Sequence, residues 1–259
     1  MKRRALLTLL VCAVGVWLAA PVFAQTRHDD GEVFAAEAKR ATARLQFYLD
    51  DIAKGGGVRP DLSRPPASDL VNQAFNLGEL RSLPPAQAND LPWLMDWATA
   101  ANGAYKSILF FGIARPVNPQ TDAAAIARNF TDYEDQEAAA GNFLLRITAR
   151  EIESAFAFMD WLPPAQRTQV RIEGFTKIRA ANAQTVISYL GCIVMGMKPA
   201  NARLISAAVR DTGADWAMAI LPADRPAVLA TLAKAEAAAT DEETRGNLSS
   251  FAALLTNAK

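Results

Sequence analysis

The chain has 259 residues, 51% of them hydrophobic, and its 27 Lys+Arg balance its 27 Asp+Glu. That length supports one well-packed core without a second domain, and the lack of a basic excess or basic run argues against nucleic acid and anionic lipid as partners. A single histidine, His28, in a polar stretch excludes a buried Ser-His-Asp or Cys-His set, a histidine-built zinc site and a Glu-x-x-His di-iron bundle.

The chain opens on Lys2, Arg3 and Arg4, followed by an uncharged apolar run from Ala5 to Ala20, Pro21, and then Val22-Phe23-Ala24. This is the three-part layout of a secretory signal peptide cleaved after Ala24. The run falls short of the roughly 20 apolar residues of a membrane anchor, and Val11 stands before Cys12 where a lipid-anchoring site wants Gly or Ala. The expected organisation is a signal peptide over 1–24 and one all-helical globular domain over 25–259, in the periplasm or secreted. Taking Lys2, Arg3 and Arg4 from the 27 basic residues leaves 24 against 27 acidic ones, a net charge of −3. Only Cys192 survives cleavage, so no internal disulfide forms, and its apolar surroundings mark it as a small core residue.

Alanine-rich periodicity with breakers at helix-length intervals predicts an all-α fold. It should be an irregular bundle of about seven to nine helices. The first spans Val33 to Ala53, its stripe of Ala38, Ala41, Leu45, Tyr48, Leu49 and Ile52 recurring at three and four, and Gly55-Gly56-Gly57 stops it. Residues Gly55 to Pro66 form the longest loop, expected to be mobile. A short helix from Ser68 to Phe75 follows, with Ser68 as N-cap. Asp90 caps a helix from Leu91 to Ala114, with Pro92 in its first turn. The segment Thr121–Leu162 reads as helix, in two pieces if broken near Asn129 or Gly141. Pro163-Pro164 opens another long helix reaching Met197. Its run Val186–Met197 is apolar all round, which predicts a central helix near 165–197, yet too short to span a membrane. Helices at Ala200–Arg210, Asp215–Leu221, Pro226–Ala239 and Asp241–Asn257 complete the chain, the last opened by a capping box from Thr240 to Glu243.

Few residues carry chemistry. No phosphate-binding glycine loop, dinucleotide fingerprint or Cys-x-x-Cys occurs, so no cofactor and no metal are expected. A terminus beginning Thr26-Arg27-His28 would chelate copper in a square plane, but cleavage after Ala24 puts the imidazole one place too far along. Asp132, Glu134, Asp135 and Glu137 read as a solvated helix face. Glu151 differs: it shares a stripe with Leu144, Ile147, Ala155 and Phe158, where a carboxylate has a raised pKa unless Lys106, Arg146 or Arg179 meets it. Asn182 sits among Phe175, Ile178, Val186, Tyr189 and Ile193, as a residue that fixes helix register. Trp93, Trp97, Tyr105, Phe110 and Phe111 load one helix with rings that either seal a core or line an apolar pocket.

Three functions fit these residues, and the first is a non-catalytic interaction or structural module of the cell envelope. A carrier would hold a small apolar or amphipathic ligand between aromatic-rich helices, with Glu151, Asn182, Trp97, Tyr105 and Lys106 as its binding residues. A carboxylate-based enzyme acting on envelope polysaccharide would need two acidic side chains about 5–9.5 Å apart across a cleft.

Overall fold

The computed structural model describes residues 29–56, 58–114, 116–118 and 120–258, so the leader over 1–24 and His28 lie outside the described residues. Among them the regular structure is helical throughout: α1 (Asp29–Lys54), α2 (Ala67–Ala74), α3 (Leu77–Ser82), α4 (Leu91–Leu109), α5 (Ala123–Asp132), α6 (Glu134–Trp161), α7 (Gln169–Val194), α8 (Pro199–Asp211), α9 (Gly213–Ala219), α10 (Arg225–Ala238) and α11 (Glu242–Asn257). The fold is therefore all-α, with more helices than the seven to nine expected. The excess comes from α3 and from the division of 121–162 into α5 and α6. Asn76 opens α3 by accepting from the Glu79 amide at 3.2 Å, a cap with an acidic partner three residues on. No helix of the described residues is long and apolar enough to cross a membrane.

Helix α6, rather than the apolar segment near 165–197, occupies the middle. Its first turn carries Glu134, Asp135 and Glu137, which complement the positive end of the helix dipole. Beyond them, small residues such as Ala138, Ala140, Gly141 and Ala149 are buried where neighbours press close. Antiparallel α4 lies on one side, with Trp97 against Phe143 and, just before the helix, Gln87 against Ser154. Parallel α8 lies on another, with Lys198 at Asp135 and Arg146 at Asp211. Helix α7 also runs antiparallel to α6, touching it through Tyr189 at Gly141 and Phe175 at Phe156. The all-round apolarity belongs only to the second half of α7. In the first half Val170 and Ile172 are 70% and 43% exposed, and only Gly174 is buried.

Several boundaries move for identifiable reasons. Helix α4 stops at Leu109 instead of Ala114, because the Asn129 amide donates to the carbonyls of Leu109 and Phe111 at 2.8 and 2.9 Å. Gly112, at φ +69°, then turns the chain away. The predicted break falls at Tyr133, near Asn129, while Gly141 stays inside α6. Asp241 rather than Thr240 caps α11, accepting from the Thr244 amide at 3.0 Å. Ser68 lies within α2 and is not its cap. The loop expected to be mobile is tied down: Pro60 and Leu62 are buried, the Tyr133 hydroxyl donates to the Pro60 carbonyl, and Arg59 pairs with Asp132.

Candidate functional site

The five residues singled out from sequence do not converge. Trp97 is fully buried, with the rings of Phe34, Trp93 and Phe143 at centroid distances of 6.0, 6.4 and 5.5 Å. Those tilted contacts fill the space beside it as a packed aromatic core does, and its indole N–H has no hydrogen-bond partner. Tyr105 lies two turns further along α4, buried on the side facing α6. Lys106, the next residue, is only partly buried. Asn182 is buried on α7 with its Nδ2 unpartnered.

Glu151 sits in the second half of α6, partly accessible, and none of the cations expected to meet it forms an ion pair with it. Arg146 binds Asn142 and Asp211, and Arg179 donates to the carbonyls of Ala219 and Met218. Apolar crowding pushes Glu151 up to about 8, with Thr148 pulling the other way. Fourteen residues separate it from Glu137, about 21 Å along the helix, so Glu151 and Tyr105 serve different ends of α6.

The residue that sequence reasoning missed is Glu137. Its three acidic neighbours do lie at the surface or rim, but Glu137 is 2% exposed, and neither carboxyl oxygen has a partner at hydrogen-bonding geometry. Tyr105 from α4 and Tyr189 and Cys192 from α7 surround it closely enough for their charges to be felt. Burial drives the Glu137 carboxyl well above the ordinary carboxylate range, and the Tyr105 hydroxyl opposes this. The same burial, reinforced by Glu137, raises both phenols and takes the Cys192 thiol up to about 12. The ionised form of each of these groups is disfavoured, because burial removes water that the Tyr105 hydroxyl only partly replaces at Glu137.

Gly141, one turn beyond Glu137, admits the Tyr189 ring. A Cβ there would lie 2.8 Å from Tyr189 Cε1 and 2.8 Å from Ile205 Cδ1. One signal in the sequence pointed this way: Glu137, Gly141, Leu144 and Leu145 share a helical face, so the apolar stripe of α6 runs back through the carboxylate.

Two other places hold space or charge. An open groove of about 570 Å³ runs between α1 and the α2–α3 segment, lined by Glu37, Arg40, Arg44, Gln73, Asn76 and Glu79. Its lining mixes these polar and charged side chains with Ala41 and Ala43. At the corner before α4, a cavity of about 10 Å³ beside Trp93 and Asp90 has room for one water. Its polar walls are committed: Asp90 accepts from the Gln87 amide and the Trp93 indole, and Arg150 donates to the Leu83 and Pro84 carbonyls. Beside it, burial and the charge of Glu153 lift Asp215 to about 6, with Arg150 opposing. No cluster of the described residues could hold a metal ion. No protein-family model matches the chain, and no curated protein and no solved structure is significantly similar to it.

Proposed function

We propose that this protein is an exported, non-catalytic helical module that acts through its surface on a partner in the cell envelope. One observation carries the reading: the residues with most chemistry, Tyr105, Glu137, Tyr189 and Cys192, are sealed between α4, α6 and α7 and out of a substrate's reach. One outward-facing apolar feature is the α6–α7 corner, where Trp161, Val170 and Ile172 are 50%, 70% and 43% exposed. Scattered apolar residues need no explanation, but several on the two sides of one helix corner suit protein contact. The periplasmic or secreted address rests on the leader, Lys2 to Ala24.

The test is site-specific photocrosslinking in the native host. A photoreactive side chain at position 170 gives a discrete adduct, one at exposed Ala36 on α1 gives none, and Val170→Glu with Ile172→Glu abolishes the adduct without loss of helical signal. Equal adducts at both positions, or none at either, sink the reading.

The carboxylate-enzyme reading draws on Glu153 and Asp215, where burial and then the charge of Glu153 raise the proton affinity of Asp215. It ranks second because the adjoining cavity is water-sized. Turnover of isolated envelope polysaccharide, lost in Asp215→Asn, would reverse the order.

A further inference from the structure

The groove between α1 and the α2–α3 segment is used by no part of the proposed function, and its walls are ordered by charge. Two contacts fix how the walls face each other. Arg44 donates to the Gln73 carbonyl oxygen at 3.1 Å, and the charge of Glu37 is felt at Glu79. The walls therefore run in opposite directions, Glu37, Arg40 and Arg44 along α1 against Glu79, Asn76 and Gln73. Both acids stand at one end and Arg44 at the other. Seven residues of α1, about 10 Å, separate Glu37 from Arg44.

These groups satisfy one another poorly. Burial first, and then the Glu37 charge, raise the Glu79 carboxyl. Arg40 reaches Glu37 only at 4.0 Å, with both side chains more than half exposed, a contact that contributes little. At the opposite end Arg44 faces a neutral amide instead of a carboxylate. The Gln73 carbonyl oxygen is taken by Arg44 and the Asn76 one by the Glu79 amide, so both side chains keep their N–H groups as donors. Ala41 and Ala43 are too small to fill the space between the walls, which leaves about 570 Å³, the size of a small-ligand site. Two acids and two arginines disfavour a simple anion or a simple cation, because either meets like charge at one end. A short peptide with free termini has an ammonium, a carboxylate and carbonyl acceptors between them. At about 3.3–3.6 Å for each extended residue, a tripeptide spans the distance from Glu37 to Arg44.

We propose that this groove binds short peptides, of tripeptide length, by both free termini: the amino group sits between Glu37 and Glu79, and the carboxylate meets Arg44 and Arg40. Arg40 exchanges its loose contact with Glu37 for the carboxylate, where a guanidinium is best used. The Gln73 and Asn76 amides donate to the peptide's backbone carbonyls. Side chains of the peptide face the open side of the groove, so the site reads the ends instead of the sequence.

Isothermal titration calorimetry of the full chain with tri-alanine tests this. The free peptide should bind, and its N-acetylated and C-amidated forms about ten-fold more weakly, since each loses a charge-assisted contact. The variants must then match the ends. Glu79→Gln should weaken the free peptide about ten-fold and leave the N-acetylated form no weaker than before, while Arg44→Gln should do the same for the free and C-amidated forms. Neither side chain is buried, so both variants should keep the wild-type dichroism spectrum, and the blocked peptides need only the wild type. No binding of tri-alanine at millimolar concentration overturns the proposal. Equal binding of free and blocked peptides, or a variant that weakens free and matching blocked forms alike, overturns it too.

Discussion

Two regions at the start of α6 treat their carboxylates in opposite ways. At the rim, Glu134 and Asp135 meet Lys198 and Asn201; hydrogen bonds from Lys198, then from Asn201, lower the proton affinity of Asp135. Two residues past Asp135, about 200° round the helix, Glu137 meets two phenols and a thiol and is driven the other way. Water makes the difference. A half-solvated carboxylate gains from any nearby cation, whereas one sealed in a core is cheapest to keep as the neutral acid.

The largest expected effect probes the core that flanks the buried acid. Trp97→Ala removes a fully buried ring from the Phe34–Trp93–Phe143 cluster and should cost about 3–5 kcal/mol in urea unfolding. A loss near zero would mean a loose, ligand-ready space instead of a packed interior. Next comes Gly141→Ala. Its Cβ meets Tyr189 and Ile205 at 2.8 Å, so overpacking of about 1–3 kcal/mol outweighs the helix-propensity gain of about 1 kcal/mol. A stabilised Gly141→Ala protein would show that Tyr189 is not wedged against α6.

Arg146→Ala sharpens the contrast through pH. Burial raises Asp211, but hydrogen bonds from Arg146 and Arg210 outweigh it and hold the carboxyl below its ordinary value. A lowered acid adds stability above its unfolded pKa and loses it as pH falls through the folded one. Wild type should therefore weaken on acidification at this site, and Arg146→Ala should flatten that limb by about 1–2 kcal/mol. It should leave in place the alkaline limb of Glu137, a raised acid whose proton the unfolded chain gives up first. Both limbs changing together would show that rim and interior are not independent. Asp241→Ala should cost about 1 kcal/mol as a lost N-cap and Thr240→Ala almost nothing, which thermal melts of the two variants would check. Smallest is Lys198→Ala, whose ion pair with Asp135 is more than half exposed on both sides; a change of about 0–1 kcal/mol is expected.

The bundle was legible because helix periodicity and breakers are local signals. The stripe Ala38, Ala41, Leu45 and Leu49 of α1 is buried as read, and the opening of α4 behind Asp90 and Pro92 falls where expected. Burial of Asn182 was legible too, from the apolar positions three and four residues away. The candidate site was not. Glu137 sits in a run of four acidic residues whose local pattern says solvent, and only the arrival of Tyr105 from one helix and Tyr189 from another removes the water.

Sequence alone determined the helical class, most helix positions, the lack of histidine chemistry and the rings that would seal the core, because each depends on contacts within a few turns or on residue counts. Tertiary structure alone decided that α6 is central, that the loop around Pro60 is fastened, and that Glu137 is enclosed while Glu151 stays partly accessible. Those outcomes depend on which distant segments meet, and a one-dimensional pattern of apolar residues records that a face is buried without recording against what.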